Sequence, residues 1–373
     1  MKKYALVICV ALLLCGCGEQ KTDTTSAIPN YTPVPTWSPA PSNEAEATSE
    51  PEATAAAKTG QNKVSDLVTK TVKKYEEETI DMEGLEGVDN FTLAKDNTLR
   101  CHDSNASGSN TFSLYEKKGN GAWKKSANQI IANFVNKYRV QVTKMKDYLV
   151  TAFDETILMA DDNVIYKIDE EGNTIADAKM EKMFGKGTFE IHDWYWYKGN
   201  KVIANLSYYD KAGTLKEKVC CLIDIDRQKI VKRYSQSWEM RLVADGKIYG
   251  DQVDQNLITT ILVVNPEDGK VEQKIPASVI RKTAQDRTEW NKAGDDYYRN
   301  QAFAYALCDG ELYVKYMTGV FRYDADSQKW QQLLKESKKY KMGQCDPVTF
   351  AVADENHFYM RGEAGFYRYS AND

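Results

Sequence analysis

Downstream of residue 84 the apolar positions fall in short runs, some alternating with polar residues, and Asp, Asn and Gly break the text between them. That punctuation predicts β-strands joined by tight turns. The runs also repeat. Asp309-Gly310, Leu312-Tyr313 and Gly319-Val320-Phe321-Arg322-Tyr323-Asp324 are echoed by Asp354, Phe358-Tyr359 and Gly365-Phe366-Tyr367-Arg368-Tyr369-Ser370, with an offset of about 46 residues. An acidic turn of one kind recurs as Asp224-Ile225-Asp226-Arg227-Gln228-Lys229 and Asp324-Ala325-Asp326-Ser327-Gln328-Lys329, each between two β-type runs.

The pattern ahead of the repeats differs. Residues 61–79 place Val64, Leu67, Val68, Val72 and Tyr75 at helical spacing among Lys and Glu, which predicts a short amphipathic helix. Residues 17–60 are rich in Thr, Ser, Pro, Ala and Glu, a composition with too little apolar surface to offset the entropy of ordering, so they read as an extended stalk. Residues 1–16 carry Lys2 and Lys3 ahead of an apolar run from Tyr4 to Leu14, the charge and length of a secretory signal peptide. The run is too short to span a bilayer as a helix. The sequence Leu14-Cys15-Gly16-Cys17 that follows resembles the lipobox of bacterial lipoproteins. The resemblance implies cleavage between Gly16 and Cys17 and acylation of Cys17, palmitate-type chains then holding the protein on a membrane.

A unit of four strands every 45 to 50 residues or so is the period of a β-propeller blade. Turns near Asp96, Asp147, Gly199, Asp245, Asp309 and Asp354 count six units, with seven left open. The expected architecture is therefore an all-β propeller of six or seven four-stranded blades over residues 85–373, with the helix and a ring-closing segment in 61–84. The last unit stops after its third strand, and Glu78 to Met82 is the candidate for its fourth. The runs Ile165-Tyr166-Lys167-Ile168-Asp169 with Gly172, and Phe321-Arg322-Tyr323-Asp324, resemble the six-bladed propellers of the low-density-lipoprotein-receptor type and related bacterial lipoprotein domains. The tetrapeptide that names the receptor type is absent. The tryptophan-rich and double-glycine marks of PQQ-like and Kelch-like propellers are absent too.

Composition narrows the function. A formal charge of -5 and no long basic run argue against nucleic acid as a partner. Of eight cysteines, Cys9 and Cys15 fall in the signal and Cys17 would carry lipid, leaving Cys101, Cys220, Cys221, Cys308 and Cys345. Five thiols cannot all pair. Small buried hydrophobes are the main reading, and a Cys308 to Cys345 bridge stays open. With His102, His192 and His357 as the histidines and no Cys-x-x-Cys spacing, no metal site or cofactor is expected. The acidic turns read as hairpin turns, not calcium loops, because the further oxygen ligands are missing.

Neither a nucleophile elbow nor a glycine-rich phosphate loop occurs, so no catalytic residue is assigned. The densest aromatic run, His192-Asp193-Trp194-Tyr195-Trp196-Tyr197, puts Trp194 and Trp196 on one face of a strand, with Tyr195 and Tyr197 on the other. Core packing is the bland reading of these rings. The other reading makes Trp194, Trp196, Trp238 and Trp290 candidate binding residues for a protein or glycan. The expectation is a lipid-anchored extracytoplasmic binding module at the cell membrane or surface, partnered by the membrane through its lipid and by a protein or envelope polymer. Alternatives are a carbohydrate-active hydrolase or lyase, and a scaffold in envelope assembly or signalling.

Overall fold

The computed structural model describes residues 68–70, 73–85, 88, 91–94, 96–103, 113–127, 129, 132–133, 157–160, 163–169, 171–235, 237–254, 259–283, 292, 303–336, 350–362 and 365–371. The signal peptide, the stalk, Cys17, Trp290, Cys345 and the turn expected near Asp147 lie outside them. The described strands form six sheets. Sheet I holds β3 (Phe91–Leu93), β4 (Thr98–Asp103), β5 (Ser113–Lys118) and β6 (Lys124–Lys125); sheet II holds β7 (Ile157–Ala160), β8 (Val164–Ile168) and β9 (Thr174–Lys179). Sheet III holds β10 (Thr188–Lys198), β11 (Lys201–Tyr209), β12 (Leu215–Asp224) and β13 (Lys229–Arg233); sheet IV holds β14 (Glu239–Ala244), β15 (Lys247–Val253), β16 (Thr259–Val264) and β17 (Val271–Pro276). Sheet V is β18 (Ala304–Cys308), β19 (Glu311–Tyr316), β20 (Gly319–Asp324) and β21 (Lys329–Lys335), extended by β1 (Val68–Lys70). Sheet VI is β22 (Phe350–Asp354), β23 (His357–Gly362) and β24 (Gly365–Ala371), completed by β2 (Tyr75–Thr79).

The sheets are antiparallel meanders, sheet V with β1 added parallel at its edge, and apolar residues on both of their faces are buried against neighbours. In β12, Cys221 and Ile223 face the seam with sheet II while Cys220 and Leu222 face the seam with sheet IV. The same alternation sends Ile248 and Leu262 toward sheet III, and Tyr249 and Ile261 toward sheet V. Tyr313 and Val320 meet Phe350 and Phe358 across the next seam. Ring closure is made by Tyr359 and Phe366 of sheet VI, Phe91, Leu99 and Leu114 of sheet I, and Ile168 of sheet II in one cluster. At about 1.5–3 kcal/mol for each fully buried large side chain, these seams rather than the hydrogen-bond ladders set the stability of the ring. The fold is a β-propeller.

Two expectations need correction. Five four-stranded blades are described, not six or seven, and sheet II has three strands. Those three match the later strands of a unit, because Lys167 on β8 stands two residues before an Asp that opens a turn, as Arg322 does on β20. The expected helix is not formed over its described part. Val68–Lys70 is a strand parallel to β21, and Tyr75–Thr79 is a strand antiparallel to β24. The edges of sheets V and VI present unpaired backbone groups, and pairing with them while burying Val68 and Tyr75 outweighs a helical spacing carried by few residues. The fourth strand of sheet VI thus spans 75–79, three residues earlier than the 78–82 read from the sequence.

This N-terminal segment stitches several seams. Val68 joins the cluster between sheets IV and V, Tyr75 the one between V and VI, and Ile80 and Leu85 the one between VI and I. The Tyr75 ring lies 5.2 Å from that of Phe358, and its hydroxyl donates to the Glu355 carbonyl at 2.8 Å. Lys73 Nζ adds a 2.6 Å contact to the Glu355 carboxylate.

The internal repeat survives in the register, since Tyr313 pairs with Arg322 and Tyr359 with Arg368. Its glycines correspond as well, Gly319 at φ +148° and Gly365 at φ +150°. A Cβ on Gly365 would meet nothing, whereas one on Gly319 would collide with the Leu334 carbonyl. Gly365→Ala should therefore cost about 1–3 kcal/mol of backbone strain and Gly319→Ala clearly more; urea midpoints of the two variants measure the difference. The Lys73 hydrogen bond to Glu355 holds that carboxyl below the usual glutamate range, opposed by a smaller desolvation effect. A carboxyl depressed on folding stabilises above its unfolded pKa, and that stability is lost as pH falls through the folded value. The stability gap between the natural chain and Glu355→Gln should be present at neutral pH and vanish below the usual glutamate pKa of about 4.3, as followed by denaturation across pH.

Candidate functional site

The two ends of the strands differ. At one end, called here the hairpin end, the connections are short. Asp245-Gly246 and Asp309-Gly310 turn β14 into β15 and β18 into β19 with positive φ at both residues (47° and 70°, 51° and 77°), the geometry of a type I′ hairpin. The acidic turns lie at this end, and their carboxylates cap their own backbone. Asp324 Oδ1 accepts from the Asp326 and Ser327 amides at 3.0 and 3.2 Å, and Asp224 Oδ1 from the Arg227 amide at 3.1 Å. Among the described residues no group of three or more His, Cys, Asp or Glu could hold a metal ion.

The hairpin end is also where successive sheets are tied. Lys167 of sheet II lies 3.5 Å from Asp226 of sheet III, and Lys198 of sheet III 2.5 Å from Glu267 of sheet IV. Arg322 of sheet V reaches Glu355 of sheet VI at 3.2 Å, and Arg368 of sheet VI donates to Asn120 of sheet I at 2.5 Å. Each exposed pair contributes up to about 1 kcal/mol, so their role is alignment of neighbouring turns more than stability.

The opposite end, called here the loop end, carries the described helices α1 (Met180–Phe184) and α2 (Ser278–Lys282). Here, at the seam of sheets IV and V, two buried charged residues gather, Asp251 and Arg281. Asp251, on β15, accepts from Arg241 Nε at 3.0 Å and from the Tyr305 hydroxyl of β18. Arg241, at a bulge of β14 between Met240 and Leu242, also reaches Glu239 at 2.9 Å. Burial, then the charge of Asp251, push the Tyr305 phenol well above its usual range, so it remains a donor. Arg281 of α2 is 6% exposed; its Nε donates to Thr259 Oγ1 at 3.1 Å, and its guanidinium lies 4.4 Å from the Phe303 ring centre and 5.6 Å from that of Tyr316. Lys315 on β19 is buried as well. Polar groups brought in from five strands and a helix make a pre-arranged patch at this end of the seam. Asp251 has its oxygens engaged by Arg241 and Tyr305, which suits an orienting acceptor rather than a proton carrier.

The tryptophans do not converge. Trp194 is 1% exposed inside the seam of sheets II and III, so it is not the exposed ring required for ligand stacking. Trp196 is half-buried on the same face, near the hairpin end, its indole N–H donating to the Gly199 carbonyl at 2.9 Å. Tyr195 and Tyr197 cover the other face, as alternation requires. Trp238 is half-buried at the loop end, 6.2 Å from Tyr234 and packed over Gly250, while Trp290 lies outside the described residues. Among the cysteines, Cys101 and Cys221 are buried thiols, with burial pushing Cys221 up to about 12; Cys308 donates to the Ala353 carbonyl at 3.3 Å. A bridge from Cys308 to Cys345 falls outside the described residues. The Arg241, Asp251, Tyr305 and Arg281 group was missed in the sequence, although Arg241 and Asp251 interrupt apolar strands at positions where an interior charge needs a partner.

No protein-family model matches the chain, and no curated protein matches it. Among solved structures, similarity is found to regucalcin, a calcium-binding protein from Agrobacterium tumefaciens, at 11% identity and a TM-score of 0.40, covering 82% of this chain and 95% of that one. The Neurospora crassa Pan2 WD40 domain is similar at 7% identity and a TM-score of 0.38, covering 77% and 90%. A Bacteroides thetaiotaomicron protein of unknown function is similar at 9% and 0.38, covering 82% and 75%. The propeller assignment rests on the strand pairing and the seams, not on these likenesses.

Asp251→Ala leaves the Tyr305 hydroxyl and the Arg241 Nε without their acceptor and should destabilise by about 3 kcal/mol. Asp251→Asn, which retains an acceptor oxygen, should lose less. Chemical denaturation of the two variants checks the order.

Proposed function

We propose that the chain is an extracytoplasmic lipoprotein, anchored through lipid on Cys17, whose β-propeller acts as an interaction module. It presents its loop end to a protein or an envelope polymer. The observation that carries this reading is the unequal pair of faces. One is closed by short turns and sheet-to-sheet ion pairs, while the other carries two short helices and, at the seam of sheets IV and V, a pre-arranged polar cluster. Recognition loops held on a rigid scaffold suit a large ligand. The resemblance to receptor-type propellers is part of the same reading. Among the described residues no helix is long and apolar enough to cross a membrane.

Two experiments test it. Cys17→Ala should move the protein from the membrane to the soluble fraction on cell fractionation; an unchanged membrane share would remove the lipid anchor from the reading. Affinity capture from envelope extracts should return a partner that is lost when the loop end is altered by Glu239→Lys. Capture no better than that from a chain carrying only residues 17–60 would count against an interaction module.

A further inference from the structure

The seam between sheets III and IV changes character along its length. Its middle is apolar: Ile203, Cys220 and Leu222 of sheet III meet Met240, Ile248 and Leu262 of sheet IV in one buried cluster, with Cys220 Sγ 3.8 Å from Met240 Sδ. Two residues beyond Cys220 and Leu262, toward the loop end, strand alternation puts polar side chains on the same two faces. On sheet III the row is Glu190, Ser207 and Lys218, cross-strand neighbours on β10, β11 and β12. On sheet IV it is Gln252 and Thr260, a cross-strand pair of β15 and β16. Trp238, just ahead of β14, lies on that face too, because a Cβ on Gly250 would collide with its ring.

The two rows differ in how far their polar groups are engaged. On sheet III they bind one another. His192, at the bulge of β10 between Ile191 and Asp193, has its Nε2 2.6 Å from Ser207 Oγ, and the Tyr209 hydroxyl donates to Glu190 Oε2 at 2.8 Å. Ser207 is buried at the base of the row, with Glu190 and Lys218 exposed on either side of it. On sheet IV the Gln252 amide, the Thr260 hydroxyl and the Trp238 indole N–H, all on half-buried residues, find no hydrogen-bond partner among the described residues. Groups of that kind are completed by water or by a ligand. The charges of Glu190 and Lys218 cancel, so the opening favours neither a polyanion nor a polycation. A fitting ligand is uncharged, both donates and accepts hydrogen bonds, and offers a flat apolar face to an indole, which describes a sugar ring. A peptide side chain would find no apolar pocket between rows of Glu, Ser, Lys, Gln and Thr.

We propose that this loop-end opening of the seam between sheets III and IV binds an uncharged stretch of a glycan chain. A sugar ring packs on the exposed part of the Trp238 indole, and its hydroxyls are taken by Gln252 and Thr260 on one side and by Glu190 and Lys218 on the other. The bond between His192 and Ser207 holds β10 to β11 at the bulge, so that the row above it keeps its place. The proposal rests on the reading of the propeller as an interaction module and names the chemistry of its ligand. It is separate from the cluster at the next seam, where the Asp251 carboxylate is already engaged by Arg241 and Tyr305.

The test uses the full unlipidated Cys17→Ala chain and isothermal titration with three uncharged sugars, N-acetylchitohexaose, cellohexaose and maltohexaose. At least one should bind, with little dependence on salt, and loss of the indole in Trp238→Ala should weaken that binding at least ~10-fold. Gln252→Ala/Thr260→Val and Glu190→Ala/Lys218→Ala should each weaken it by roughly threefold or more. Trp196→Phe, at the hairpin end, should bind as the parent does. Trp238 packs against the seam, so thermal unfolding of its variant is followed as well; Glu190 and Lys218 are exposed, and their double variant carries the test if Trp238→Ala does not fold. No heat at millimolar concentrations of any of the three sugars, or parental binding by folded Trp238→Ala or by the Glu190 and Lys218 double variant, overturns the proposal. So does binding confined to an anionic polysaccharide, polygalacturonate, which would make the opening a polyanion site. Capture from envelope extracts of a protein lost in Glu239→Lys, with none of the three sugars bound, would sink the glycan and leave the interaction module standing.

Discussion

Burial of both faces of every sheet is the constraint on which this molecule depends. A sheet apolar on one side could be satisfied by a single partner, but β12, with Cys221 and Ile223 on one face and Cys220 and Leu222 on the other, needs a neighbour on each side. So do β15 and β19. Sheets with that demand, joined by short connections, reach a stable end only when the row bends until its last member meets its first. The cluster that mixes sheets VI, I and II is that meeting.

Polar chemistry follows from the same geometry. Seams filled with Tyr, Phe, Ile and Val exclude water along their length, so charged groups are confined to strand ends. At the hairpin end they pair across turns in partial exposure; at the loop end of the seam between sheets IV and V they are buried, and each must bring its own partner. The mixed cluster of Asp251, Arg241 and Tyr305 is what remains when the apolar filling of the seam gives out at its loop end.

Much of the architecture was legible because its determinants are local. The Asp-Gly turns, the capped acidic turns and the alternation in β10 depend on adjacent residues, and the repeat of Tyr313 and Arg322 at Tyr359 and Arg368 came through to identical cross-strand pairing. The N-terminal strands were misread because their conformation is decided by partners far along the chain. Val68 answers to Trp330, and Tyr75 to Ala371 and Phe358. The candidate site was illegible for a similar reason, since Arg241, Asp251, Arg281 and Tyr305 come from separate turns of the meander. Tryptophan content pointed instead to Trp194 and Trp196, which the seam between sheets II and III consumes.

The pairing of β2 with β24 has a consequence for biosynthesis. Residues 75–79 are made well before residues 365–371, with which they pair. At ordinary translation speeds of 5–20 residues per second, roughly 15 to 60 s separate the two. During that interval the blades between can form in order as they emerge, but the Tyr75 slot on Phe358 does not yet exist, and the first-made segment must stay unspent. Completion of sheet VI therefore joins segments made far apart in time, and a nascent chain halted before residue 365 would hold the earlier sheets yet lack the strand on which β2 closes.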